Sequence, residues 1–356
     1  MRSMLIAAAM TAALAQGPAL AFDGWHLQQA TVIPGPGAAW DYVTLDEARG
    51  RLFIGHRSLG LQVFDLASRR LLATVEGTPA ASSNGAVLMP EFDLGISNNE
   101  NGTVTPFTLS TLEARPAVKL GDELDTSHYD PGAKRILVNM APGKEATDAA
   151  VLDVPSLAVA GTIRVPSRKL EGGEGDGAGA FFLAARDVDK VFRMDLKAMR
   201  ITAEWPAPGC AQTNSLALDV AHRRIMLGCR GSETEKPSFA VMDADTGKVV
   251  FTAEIGGGND GLVYDAATRR VFLANGVGAV LNVFEQLDAD HYRPVETLGT
   301  RAGVRSLAMD RKAGTLHSVV AEGSADAGKK ILTSVSPFYA NTFFPDSFTV
   351  LTYGRN

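Results

Sequence analysis

Cysteine is scarce, with two residues in a chain of 356. That excludes a disulfide-dense scaffold and a four-cysteine zinc site. A surplus of one charge is also lacking. Lys and Arg number 34 against 40 Asp and Glu, and the formal charge is −6, so a polyanion-binding surface is not expected. After the first two dozen residues no stretch is long and apolar enough to anchor in a membrane. There is no Gly-x-Ser-x-Gly elbow, no phosphate-binding Walker loop, no haem-attaching Cys-x-x-Cys-His and no zinc-type histidine spacing. No long amphipathic helix is legible either. What remains is 46% hydrophobic, with 36 Gly and 17 Pro, which is the composition of a globular protein rich in turns.

The opening residues read as an address. Met1-Arg2-Ser3 is a short basic start, and Met4 to Ala15 is an apolar run too short to span a bilayer. Ala19-Leu20-Ala21 places small residues where a signal peptidase reads them. Residues 1–21 are therefore expected to be a cleaved secretory signal, and residues 22–356 a single exported domain, periplasmic or secreted. In an oxidising compartment Cys210 and Cys229 are expected to pair. One lies in a Pro-Gly loop before a strand pattern and the other ends the next strand, so antiparallel pairing brings them together.

A repeat of about 45 residues organises the rest. Its landmark is an apolar residue plus Asp or Pro, a short turn, a basic residue and an apolar strand. The landmarks stand at Asp46, Pro90, Asp130, Asp219, Asp265 and Asp310, and the long step between Asp130 and Asp219 conceals one more copy at Asp176. Each copy continues with a strand ending near an acid, as at Asp65, Asp153, Asp243 and Glu285, then a turn and a fourth strand. The runs are short, alternating and β-branched. Seven copies of four antiparallel strands predict an all-β, seven-bladed β-propeller. The last copy lacks one strand while Trp25–Ile33 is a spare one, so the N-terminal strand is expected to close the seventh blade and remove an open edge.

On the Asp-turn-Arg landmarks, on Asp243-Ala-Asp-Thr-Gly-Lys248 and on the closing run from Phe348 to Gly354, the chain resembles the YVTN-repeat, YncE-like family of secreted bacterial seven-bladed propellers. The resemblance runs from about Trp40 to Arg355 and departs most in the glycine-rich stretch from Glu171 to Gly179. It implies a fold and an exported location. Family members have binding and surface roles rather than one shared reaction, so the resemblance implies no single activity.

Five residues before the landmarks stand Asp41, Gly85, Asp125, Glu171, Asn214, Asp260 and Arg305. Strand alternation would put this position on one face with the apolar residues three and one before the landmark. The polar residue then sits at the funnel mouth and its companions pack deeper. This gives four carboxylates and one arginine, a local charge of about −3, with His128 and Glu174 joining two before their landmarks. Loops after the second strands add His56, Arg57, Asn98 to Asn101, Asn139, Arg230 and Asn275. Oxygens converging from several blades would suit a divalent cation such as calcium.

Two functions fit these residues. One is a binding propeller, monomeric, whose acidic mouth holds a small ligand, a cation or a segment of a protein partner. The other is a propeller hydrolase of lactonase type using mouth carboxylates. Nucleic acid is not an expected partner, because both chain and mouth are acidic.

Overall fold

The recurring aspartate is a turn-former. In the computed structural model, which describes residues 23–140, 143–326, 328 and 340–356, each landmark carboxylate accepts from backbone N–H groups just beyond it. Asp130 takes Gly132 at 2.9 Å, Asp176 takes Ala178 at 2.8 Å, and Asp310 takes Ala313 at 2.8 Å. Asp46, Asp219 and Asp265 do the same. This local bond mimics a backbone turn and reverses the chain from an innermost strand into the second. In the second copy Pro90 begins a short 3-10 turn instead, its fixed φ suiting that place.

In four copies an arginine after the turn pairs across strands with the acid that ends the third strand. Arg51 faces Asp65, Arg135 faces Asp153, Arg224 faces Asp243 and Arg270 faces Glu285. Three of these arginines also reach the next blade: Arg51 to the Leu109 carbonyl, Arg135 to that of Leu196, and Arg224 to Asp290. The motif therefore fixes a turn, a register and a neighbour at once.

Seven four-stranded antiparallel sheets result, one per copy. Their innermost strands are Val43–Asp46, Ser83–Met89, Leu124–Asp130, Leu170–Gly175, Thr213–Asp219, Asn259–Asp265 and Ala308–Asp310. In blade 7 the order from the outside is His26–Val32, Thr349–Gly354, Thr315–Val320 and Ala308–Asp310. His26 pairs with Gly354 and Val32 with Thr349, so the N-terminal strand closes the ring. Trp25 locks this end by packing edge-on against Phe272 of blade 6, ring centres 4.8 Å apart, and its backbone N–H donates to the Glu296 carboxylate.

The core lies between blades, where second and third strands are buried nearly throughout. Fully buried rings such as Phe53, Phe107, Phe181, Phe239 and Phe272 each contribute roughly 2–3 kcal/mol of transfer free energy. Cys210 and Cys229 form a disulfide with Cα atoms 5.1 Å apart. No helix among the described residues is long and apolar enough to cross a membrane. The leader reading of residues 1–21 falls outside the described residues.

Candidate functional site

Simple alternation does not survive at the mouth. In blades 2 to 6 the pairing of the innermost strand slips near the fifth residue before the landmark, between Ser83 and Gly85, Leu124 and Ser127, Leu170 and Gly173, Thr213 and Ser215, and Asn259 and Gly261. A bulge of this kind bends the strand and re-aims the extra residue. Asp125, Glu171, Asn214 and Asp260 therefore leave the face of their apolar companions and turn toward their neighbours at the mouth.

There they meet cations. Asp41 pairs with Arg57 at 2.6 Å and with Arg305 at 3.7 Å. Arg305 also meets Asp260 at 3.4 Å, donates to the Trp40 carbonyl and lies over the Trp40 ring. Asp260 pairs with Arg230 and accepts from Asn214 Nδ2 at 2.9 Å. Glu171 is bound by Arg186 at 2.7 Å and approached by Lys169 at 3.9 Å. Lys169 in turn pairs with Asp125, and Arg57 with Glu100 at the rim.

The expected acidic ring is thus a ring of alternating sign. Arg57, Lys169, Arg186, Arg230 and Arg305 face Asp41, Asp125, Glu171, Asp260 and the more exposed Glu100. Arg57 and Arg230 were legible as loop candidates. Lys169 and Arg186 were not, although Arg186 follows its second strand just as Arg230 does. Cations from the loops offset the charge of about −3 that the strand position alone carries.

Depth sorts these groups. Asp41, Glu171, Arg230, Asp260 and Arg305 side chains are at most 10% exposed. Arg57, Asp125, Lys169 and Arg186 keep 18–26% and form the part open to solvent. Burial raises the Asp41 carboxyl against the opposing pull of Arg57 and Arg305. It raises Glu171 too, against Lys169 and Arg186. For Asp260 burial is outweighed by Arg230 and Arg305, and its carboxyl is held below the ordinary range.

Tyr42 is the residue the sequence reading missed most completely. It occupies the position four before the landmark, where the other copies carry Ala86, Thr126, Gly172, Ser215, Gly261 and Ser306. Small residues are needed there because innermost strands of adjacent blades touch. A Cβ on Gly172 would lie 2.8 Å from the Leu216 nitrogen, and one on Gly261 2.8 Å from the Arg305 carbonyl oxygen. Blade 1 breaks the rule, and Gly85 makes the room: its φ is +156° and a Cβ there would stand 3.0 Å from the Tyr42 Cβ. The Tyr42 hydroxyl donates to Glu171 of blade 4 at 3.4 Å. The ring therefore crosses the axis just inside the mouth. Burial and the nearby Glu171 carboxylate push its hydroxyl pKa well up, so it stays protonated.

His128 and Glu174 lie deeper. His128 Nε2 is 2.8 Å from the Glu171 carbonyl oxygen, and burial lowers its pKa to about 4. Glu174 accepts from the Leu218 N–H at 3.0 Å, and burial raises its pKa to about 7. Several loop candidates are held by bonds to the surrounding fold, and Asn98 among them also lines the channel. Asn98 donates to the Asp125 carbonyl, Asn139 to Thr126 at 2.6 Å, and Asn275 to the Leu273 carbonyl at 3.0 Å. His56 bonds Gln62 at 2.8 Å and stacks on Phe348.

The donor set does not fit a divalent cation. Calcium asks for six to eight oxygens, and each mouth carboxylate already has an arginine or lysine on it. Among the described residues no three His, Cys, Asp or Glu side chains are placed to share a metal.

No protein-family model matches the chain, and no curated protein matches it significantly. Solved structures do. A chain in the crystal structure of the mitotic checkpoint complex superposes with a TM-score of 0.69 at 12% identity, covering 89% of this chain and 96% of that one. A chain of the hydrazine synthase of Kuenenia stuttgartiensis gives 0.66 at 14%, covering 88% and 100%. The likeness is one of fold. It supports the seven-bladed β-propeller and carries no activity with it.

Proposed function

We propose that this is an exported binding propeller, akin to the YVTN-repeat propellers, which holds a small polar ligand or a short partner segment at its funnel mouth. The observation that carries the reading is the ring of alternating charge. Burying ion pairs stabilises a protein less than apolar packing of the same volume, and closure of this ring of blades rests on the terminal strand and the interblade core. Five cations gathered at one mouth are then best understood as recognition groups. Their balance with the carboxylates favours a ligand carrying both signs of charge, or an anionic group beside hydroxyls, over a bare cation. The hydrolase reading has less support, because the mouth carboxylates are engaged by Arg and Lys and none is poised beside a nucleophile.

The test is a thermal-shift screen of zwitterionic and anionic metabolites, followed by titration of Arg305→Ala. Asp260 keeps Arg230 and Asp41 keeps Arg57 in that variant, so the fold persists. Binding should weaken by about tenfold or more while the melting temperature falls by only a few degrees. Unchanged affinity in Arg305→Ala and in Glu171→Gln would overturn the assignment of the mouth.

A further inference from the structure

Beneath Tyr42 the propeller axis is hollow. A chamber of about 200 Å³ is lined by residues of all seven blades. Its wall has two halves. Val43, Leu216, Leu262 and Leu307, from blades 1, 5, 6 and 7, form an apolar band, and Tyr42, Asn214 and Asp260 of the mouth close its upper end. Blades 3 and 4 give a polar side of Thr126, Ser127, His128 and the backbone of Gly172 and Gly173.

His128, which lines that polar side, carries an acceptor. Its Nε2 lies 2.8 Å from the Glu171 carbonyl oxygen, which only accepts, so Nε2 carries the hydrogen. Burial keeps the imidazole neutral at ordinary pH. Nδ1 therefore holds a lone pair, and it has no hydrogen-bond partner among the described residues. The chamber does not depend on the funnel for access. Thr44, Ala86, Ser127, His128 and Gly173 line both it and a groove of about 550 Å³ that reaches the turns at Asp46 to Ala48 and Pro90, on the opposite face.

We infer that the axial chamber, which lies below the charged mouth and shares Asp260 with it, is a second ligand site that takes a small neutral alcohol or phenol entering from the opposite face. The hydroxyl donates to His128 Nδ1 and the hydrocarbon rests on the wall of Val43, Leu216, Leu262 and Leu307. Size agrees with this class, since an apolar cavity of about 150 Å³ accommodates benzene. An ammonium is disfavoured, because Arg230 and Arg305 flank the Asp260 carboxylate at the chamber's upper end.

The probe is phenol, with benzene as the control lacking a donor, titrated into the whole domain by calorimetry. Phenol should bind saturably, and benzene about tenfold more weakly. His128→Leu should bring phenol down to the level of benzene. The Glu171 carbonyl keeps Thr126 and Asn139 as donors in that variant, so the strand is retained. Arg57→Met, at the mouth, should leave phenol binding unchanged. Should His128→Leu fail to fold, the nitrogen-15 shift of His128 Nδ1 in the unaltered protein reads the same contact, and phenol must move it. The inference is overturned by absence of saturable binding (a chamber holding water only), by benzene matching phenol, by an unmoved Nδ1 resonance, or by loss of phenol binding in Arg57→Met. These outcomes leave the mouth proposal standing or falling on its own titration.

Discussion

Glu174 is a largely buried carboxyl group on the innermost strand of blade 4 whose partner is a backbone N–H rather than a cation at bonding distance. Burial raises its pKa from 4.5 to about 7, so between those values the folded state holds a proton that the unfolded chain has released. The sign follows: stability is greatest below the unfolded value and is lost as pH rises through about 7. Glu174→Gln can still accept from Leu218 and carries no charge. The variant should match the parent near pH 4.5 and exceed it at pH 8 by roughly 1–3 kcal/mol, the upper figure being the full shift and the lower allowing for its residual contact with solvent. Urea denaturation at several pH values measures the difference. A gap independent of pH would mean that the carboxyl does not titrate in this range. His128 and Glu174 were visible in the sequence as ionisable residues at a position that carries Thr44, Leu88, Ala217, Val263 and Ala308 in the other copies. Tyr42 was visible only as an outsized residue among small ones, a contrast that gains meaning once adjacent innermost strands are known to touch.

At the scale of the strand and turn, the sequence was most informative where one residue acts locally. A landmark Asp bonds N–H groups two to four positions on, and an Arg opposes the acid of its own sheet, so both recur with the repeat. The bulges are different. Nothing in Leu124-Asp-Thr-Ser127 announces a slipped register, because the slip is set by packing between blades, and it decides where Asp125 points. The cations escaped for a related reason: Lys169 and Arg186 belong to loops whose convergence depends on closure of the whole ring. The disulfide was legible because both cysteines sit in one blade. Cys229 directly precedes Arg230, and the bridge ties the end of the second strand to the loop that leads into the innermost one. Replacing both cysteines by serine should lower stability by about 3 kcal/mol, the chain-entropy value for a loop of roughly 20 residues. Chemical denaturation under non-reducing conditions measures it. A loss below about 1 kcal/mol would show that the sheet alone holds this corner.

For the molecule as a whole, closure is the decisive step. Six blades are built from consecutive chain, and the seventh joins residues 26–32 to residues 308–354. Without the N-terminal strand, Thr349–Gly354 becomes an open edge of unpaired backbone groups, the kind of edge that recruits another chain. The loss reaches further, because Trp25 packs on Phe272 and bonds Glu296 in blade 6. The mouth depends on the same closure, since Ser306 and Arg305 of blade 7 bond the backbone of Asp41 and Trp40 in blade 1. A form beginning at Ile33 should therefore lose its solution size, associating or aggregating at concentrations where the chain from residue 23 does not, and lose the binding proposed for the mouth. A synthetic peptide of residues 23–33 supplied in trans should restore both, because the missing pairing is a complete edge strand with its register set by Trp25 at one end and Ile33 at the other. Sedimentation velocity with and without the peptide decides the matter. A truncated form that keeps the parent's size and melting temperature would place closure elsewhere, in the contacts of Ser306 and Arg305 with blade 1.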